Sequence, residues 1–264
     1  MPTLLAIESL DDPRVADYRF LADPQYLLAH GLFVAEGRLV LRQLLKSFRF
    51  ETRSILVTPA AVENLGAALN QTQAPIYVAP QALMNEVAGF NIHRGCLALG
   101  VRPAAGGLEN DVLDRATRIV VLEGVSNPDN VGGLFRSAAA FGVDLVVLGP
   151  DCGDPLYRKA IRTSMAATLE VPYASAGAWP EAITQLRQQG CEVLALTPAA
   201  SAPPLAGFRP ASNRLALLVG SEGDGLTAAA LELASAQARI PMSGAVDSLN
   251  VTTAGSIAMY FLFS

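Results

Sequence analysis

Leu122-Glu123-Gly124-Val125-Ser126-Asn127-Pro128-Asp129-Asn130-Val131-Gly132-Gly133-Leu134-Phe135-Arg136 is the stretch on which the fold turns. The apolar run Ile119–Leu122 ahead of it reads as a strand, the Asn-Pro pair as a loop, and Val131–Phe141 as a helix. Asn130 is placed to cap that helix, Gly132 and Gly133 open its first turn to close approach, and Arg136 lies within two turns of its start. A helix start facing an open loop, with an arginine nearby, suits a phosphate or another anion. By itself the pattern is more often that of an ordinary capped helix with a solvated arginine.

Working downstream, strands are expected at Leu145–Leu148, Glu170–Tyr173, Val193–Thr197, Leu215–Val219 and Ala238–Ile240, with helices at Trp179–Gln189, Thr227–Ala234 and Leu249–Leu262. Strands alternating with helices at this spacing predict a mostly parallel α/β sheet whose ligands sit in loops at the carboxyl ends of the strands. Upstream, helices are expected through Val15–Leu28, Gly37–Lys46, Pro59–Leu69 and from Pro80 to Val87. They alternate with strands at 32–34, 54–58, 76–78 and 96–101, a second α/β sandwich. Arg102-Pro103-Ala104-Ala105-Gly106-Gly107 breaks both periodicities, so two domains are expected, 1–105 and 106–264.

Two more loops follow apolar runs. Val219-Gly220-Ser221-Glu222-Gly223-Asp224-Gly225 alternates glycine with Ser, Glu and Asp, but no Lys-Ser or Lys-Thr follows, and its two acids would repel a triphosphate. Backbone groups of such a loop suit a neutral adenosine. Ile240-Pro241-Met242-Ser243-Gly244-Ala245-Val246-Asp247-Ser248-Leu249-Asn250-Val251 is a strand end, a small-residue loop and a helix start, with Ser248 the expected cap.

The whole composition narrows the field. Of the 264 residues 51% are hydrophobic and 16% charged, which predicts packed cores. The acidic start MPTLLAIESLDDPR has no signal-peptide character and no apolar run is long enough to span a bilayer, so a cytoplasmic protein without membrane partners is expected. Cys96, Cys152 and Cys191 are widely spaced and read as buried free thiols, and with only His30 and His93 neither a metal centre nor a Ser-His-Asp triad is expected. The net charge is −5, yet the chain before Ala105 carries 9 basic and 9 acidic residues against 10 and 15 after it. Of the 19 basic residues 17 are arginines, which suit bidentate phosphate contacts.

Together the three loops resemble the three motifs of the SpoU (TrmH-like) family of RNA 2′-O-ribose methyltransferases, in the SPOUT superfamily. Asn127, Pro128, Asn130, Gly132 and Arg136 match the first motif, Gly220–Gly223 the second, and Ile240–Met242 with Ser248–Val251 the third. The resemblance implies a deep trefoil knot in the carboxyl-terminal domain and S-adenosylmethionine bent within it, leaving S-adenosylhomocysteine as product. It places cofactor contacts at Leu196, Thr197, Val219, Gly220, Glu222, Gly223, Ile240, Pro241, Met242, Ser248, Leu249 and Asn250. The amino-terminal domain, with Phe33-Val34-Ala35-Glu36-Gly37, is similar to a ribosomal-protein-like RNA-binding fold. Pairing of catalytic domains into a homodimer with a shared active site is implied too, and the apolar helix ending Tyr260-Phe261-Leu262-Phe263 suits a buried interface.

The implied reaction moves a methyl group from a sulfonium to a ribose hydroxyl of structured RNA, ribosomal RNA ahead of transfer RNA. A guanidinium such as that of Arg136 is a poor base; it stabilises a developing alkoxide or holds the adjacent phosphate. Asn130 orients the ribose, while Glu222, Ser248 and Asn250 fix the loops. One rival reading is a non-catalytic RNA-binding or ribosome-assembly protein that retains the fold. Another, a Rossmann-type dinucleotide enzyme, lacks the Gly-x-Gly-x-x-Gly after the first strand.

Overall fold

The computed structural model describes residues 3–92, 95–104, 106–244 and 246–264. The chain packs as two compact units, one of Met1–Ala104 and Leu156–Glu170, the other of Ala105–Pro155 and Val171–Ser264. The expected division at 105 had given the whole of 106–264 to the second unit, but Leu156–Glu170 packs with the first.

The first unit runs β1 (Leu4–Ala6), α1 (Pro24–Ala29), β2 (Leu32–Glu36), α2 (Arg38–Lys46), β3 (Thr52–Val57), α3 (Pro59–Leu65), β4 (Ile76–Val78), α4 (Gln81–Ala88) and β5 (Cys96–Val101). Its sheet has the order β1-β4-β3-β5-β2, with β1, β4 and β3 parallel and β5 antiparallel to both its neighbours. The helix expected through Val15–Leu28 is in fact a 3-10 turn, Pro13–Phe20, followed by α1. Pro24 disfavours helical backbone at Asp23, whose carboxylate instead caps α1 by accepting from the backbone N–H groups of Gln25 and Tyr26. The helix expected to reach Leu69 stops at Leu65, where Gly66 takes a φ of 51°.

The second unit runs α5 (Asn110–Asp114), β6 (Arg118–Leu122), α6 (Pro128–Ala140) and β7 (Leu145–Leu148). After α7 (Arg158–Thr163) come β8 (Tyr173–Ser175), α8 (Glu181–Gln188), β9 (Glu192–Leu196), β10 (Leu215–Val219), α9 (Ala228–Leu233), β11 (Ala236–Ala238) and α10 (Val251–Phe263). The sheet order is β11-β9-β10-β6-β7-β8, and every pair in it is parallel. Its central strands carry the apolar runs Ile119–Leu122 and Leu215–Val219 because both faces are buried there. The strand expected at Glu170–Tyr173 falls instead at Tyr173–Ser175, since Ala167–Leu169 forms a 3-10 turn. The one expected at Ala238–Ile240 ends at Ala238, so that Ile240-Pro241-Met242 belongs to the loop beyond it. Helix α7, not among the elements expected from the sequence, lies with the first unit, where Arg158 pairs with Glu36 at 2.7 Å and its guanidinium sits 4.0 Å from the centre of the Phe90 ring.

Small residues let α6 and α10 approach closely. A Cβ added to Gly133 would fall 2.5 Å from Cγ2 of Thr252, and one added to Gly255 would fall 2.5 Å from Cδ2 of Leu134. Further along both helices the Ser137 and Ser256 hydroxyls meet at 2.6 Å. Thr252 is β-branched and stiff, so it cannot turn aside for a larger neighbour. Gly133→Val is therefore expected to cost about 1–3 kcal/mol in urea denaturation. An unchanged midpoint would show that the two helices do not pack at this distance.

Candidate functional site

Loops at the carboxyl ends of the parallel strands come together in the second unit. Glycine permits the turn that starts the first of them: Gly124, after β6, has a φ of 68° and its N–H donates to the Pro150 carbonyl at 2.9 Å. Helix α6 then begins at Pro128, three residues earlier than the sequence suggests, and its cap is Asn127 rather than Asn130. The Asn127 side chain accepts from the Asp129 N–H at 2.9 Å, and Pro128 takes the first helical position, where it needs no donor. The helix at the end of the third loop is likewise capped by Asn250, not by Ser248: its Oδ1 accepts from the N–H groups of Thr252 at 2.9 Å and Thr253 at 3.2 Å.

Asn130, freed from capping, is 6% exposed and serves a different purpose. Its Oδ1 accepts from Nδ2 of Asn250 at 3.0 Å and from Oγ1 of Thr252 at 3.2 Å. Nδ2 of Asn250 also donates to Oε1 of Glu222. One amide therefore ties the first, second and third loops together, across sequence separations of 120 and 28 residues.

A cavity of about 370 Å³ opens between the second and third loops and the residues that follow β9, within the usual size of small-molecule sites. Of the expected contact residues Leu196, Thr197, Val219, Gly220, Glu222, Gly223, Ile240, Met242, Ser248 and Leu249 line it. Pro241 and Asn250 are not among its lining residues; Asn250 serves the brace instead. Gly220 is required by contact with backbone: a Cβ there would lie 2.3 Å from the carbonyl carbon of Gly225 and 2.5 Å from the Leu226 nitrogen. Arg136 does not line the cavity. It is an exposed residue of α6, and with the helix beginning at Pro128 it stands roughly 12 Å along the axis from that start. The backbone of Arg136 is thus about two turns from the helix start.

Sequence reasoning missed Glu123, which is 3% exposed at the end of β6. Its carboxylate accepts from Nε1 of Trp179 at 2.6 Å, from Oγ1 of Thr227 at 2.8 Å and from the Thr227 N–H at 3.0 Å. These bonds anchor the far end of the Gly220–Leu226 loop to the sheet. The signal for it was an acid directly abutting the buried run Ile119–Leu122. Pro198, Ala199 and Ala254, also in the lining, are small neighbours of motif residues and carry no chemical signature of their own.

Cys96 and Cys191 are buried as expected, but Cys152 is only half-buried. Burial pushes the Cys152 thiol above its ordinary pKa, and it donates to the Leu122 carbonyl at 3.3 Å, so it is protonated and unreactive at neutral pH. Among the described residues no three His, Cys, Asp or Glu side chains gather where they could hold a metal, and His93 lies outside those residues. No helix among them is long and apolar enough to cross a membrane.

A parallel α/β sheet with a braced small-molecule cavity in its carboxyl-end loops is the architecture of a ligand-binding or transferase domain. The sequence pattern of the SpoU rRNA Methylase family matches residues 117–260, and the chain belongs to that family. An uncharacterized tRNA/rRNA methyltransferase of Mycobacterium bovis is 42% identical over 95% of this chain and 88% of its own length. The 23S rRNA (guanosine(2553)-2′-O)-methyltransferase RlmP of Bacillus subtilis is 27% identical over 97% and 98%. Among solved structures, the AdoMet-bound rRNA methyltransferase of Sinorhizobium meliloti shares the fold, with a TM-score of 0.81, 22% identity, and coverage of 98% of this chain and 97% of its own.

Glu123→Gln keeps the size of the side chain but turns one acceptor into a donor facing Thr227 and Trp179. It is expected to weaken binding of the cavity's ligand by roughly tenfold, read by calorimetry, with only a modest loss of stability. Unchanged affinity would show that Glu123 does not hold the loop.

Proposed function

We propose that the chain transfers a methyl group from S-adenosylmethionine to a ribose 2′-hydroxyl of structured RNA, with ribosomal RNA ahead of transfer RNA. The observation that carries this reading is the convergence of the second and third family motifs on one cavity, to which the first motif is braced through Asn130 and Asn250. The donor's chemistry fits the residues present. Leu196, Ile240 and Leu249 offer apolar walls for an adenine, the Gly220–Gly225 loop offers backbone polar groups, and Glu222 and Asp224 offset a positive sulfur. When bound, the donor supplies a methyl carbon activated by that sulfonium.

The protein's share is alignment and charge. The brace of Asn130, Asn250 and Glu222 holds the loops in the geometry of in-line attack, with Ser248 at the cavity wall. This gives Asn130 a positioning part in place of direct contact with the ribose. The Arg136 guanidinium offsets negative charge developing on the 2′ oxygen, or grips the neighbouring phosphate. Since it lies outside the cavity of its own chain, it acts across a homodimer in which two catalytic units share their sites. Supporting this pairing, Ile257, Tyr260 and Phe261 on α10 are left exposed, and Phe141 packs edge-on against Tyr260 at 5.9 Å. The same reading assigns a trefoil knot to 106–264, a ribosomal-protein-like RNA-binding role to 1–105, and a cytoplasmic location.

Methyl transfer from radiolabelled donor to unmodified ribosomal RNA transcripts tests the proposal. Alkali-resistant 2′-O-methylated dinucleotides are expected, with kcat reduced about 10²- to 10³-fold in Arg136→Ala and donor affinity unchanged. Donor binding without any transfer would favour the non-catalytic RNA-binding reading instead.

A further inference from the structure

The acidic chain keeps a concentrated run of positive charge in its first unit. Between Gly37 and Arg53 there are five basic residues, Arg38, Arg42, Lys46, Arg49 and Arg53, against the single acid Glu51. Arg38, Arg42 and Lys46 are spaced by four on α2 and so follow one face of that helix, opposite the buried Val40, Leu41, Leu44 and Leu45. From Gly37 to Phe50 no acid interrupts the stripe.

At the end of the stripe stands Phe48, whose side chain is fully exposed. A solvated phenylalanine is often the accident of a loose loop, but here the chain is fixed on both sides. The Ser47 N–H donates to the Leu44 carbonyl at 3.0 Å, closing α2, and the Ser47 hydroxyl accepts from the Arg49 N–H at 3.1 Å. Phe50 is buried and meets Phe33 edge-on with ring centres 5.4 Å apart, while the Arg49 guanidinium lies 5.2 Å from the centre of the Phe50 ring. Phe48 is thus presented outward by a turn that leaves it little freedom to fold away.

We infer that the α2 stripe and Phe48 form an RNA-docking surface, in which Arg38, Arg42, Lys46 and Arg49 meet phosphates and an unpaired base stacks on the Phe48 ring. The inference rests on the proposed methyl transfer to RNA and adds where the substrate is gripped. Charge complementarity selects the partner: a row of cations without acids matches a phosphate backbone, and a rigid aromatic face beside it matches a splayed base, the usual means of single-strand and loop recognition in RNA.

The test uses the full chain, unmodified 23S ribosomal RNA transcript as probe, and Phe48→Ala, Phe48→Trp and the triple variant Arg38→Gln/Lys46→Gln/Arg49→Gln. Phe48→Ala is expected to weaken RNA binding roughly 5- to 100-fold, with Phe48→Trp restoring it. The triple variant is expected to lower the slope of log affinity against log salt by about 2, at roughly 0.7 per cation removed. Donor affinity and melting temperature should stay unchanged in all of them, and the loss should fall on KM for RNA rather than on kcat. If the unaltered protein binds donor and RNA and every variant binds RNA within twofold of it, this surface is not the docking site although the methyltransferase reading stands. Loss of binding to phosphatidylglycerol vesicles in the variants, with RNA affinity kept, would overturn it in favour of a membrane. If the unaltered protein binds neither donor nor RNA, both readings fail together.

Discussion

The hydrogen bonds that the Asn250 side chain makes to Asn130 and Glu222 are the constraint on which the functional half of this molecule depends. Each of the three loops is irregular, and alone none would hold a shape. One amide joins them at the start of α10, where its Oδ1 also caps the helix. The cost of ordering three loops is thereby shared by a single polar cluster, itself half-covered by the close packing of α6 on α10. At the other end of the second loop, Glu123 fastens Thr227 to the sheet, so that the Gly220–Leu226 segment is fixed at both ends.

This arrangement explains why glycine is placed where it is. Gly220 yields its side chain to the backbone of Gly225 and Leu226, and Gly133 yields its own to Thr252. The first keeps the loop folded over the cavity; the second keeps α10, and therefore Asn250, within reach of Asn130. Packing between helices and placement of the site are one requirement in this unit.

Much of this was legible in the sequence, and the failures have physical causes. Strands β5, β7 and β10 are unbroken apolar runs bounded by polar or small residues, and they read off directly. Strand β1, three residues long at the sheet edge, carries no period, and α7 was hidden because its partners Glu36 and Phe90 are distant in sequence. Both misassigned caps erred the same way: Asn130 and Ser248 are good capping types, but Asn127 and Asn250 stand where the backbone turns, and the side chain of Asn130 is drawn off to Asn250. Motif residues of the cavity were legible through family resemblance. Glu123 was not, because its role depends on Trp179 and Thr227, 56 and 104 residues away.

The most direct measurement is an isothermal titration of the purified chain with S-adenosylhomocysteine, set beside Asn250→Ala. The account predicts saturable heat at one site per chain for the native protein, and affinity lowered at least tenfold in the variant with α6 and α10 still folded. Absence of heat from the native protein, or equal affinity in both, would contradict the claim that one cavity, lined by the second and third loops and braced to the first, binds the methyl donor.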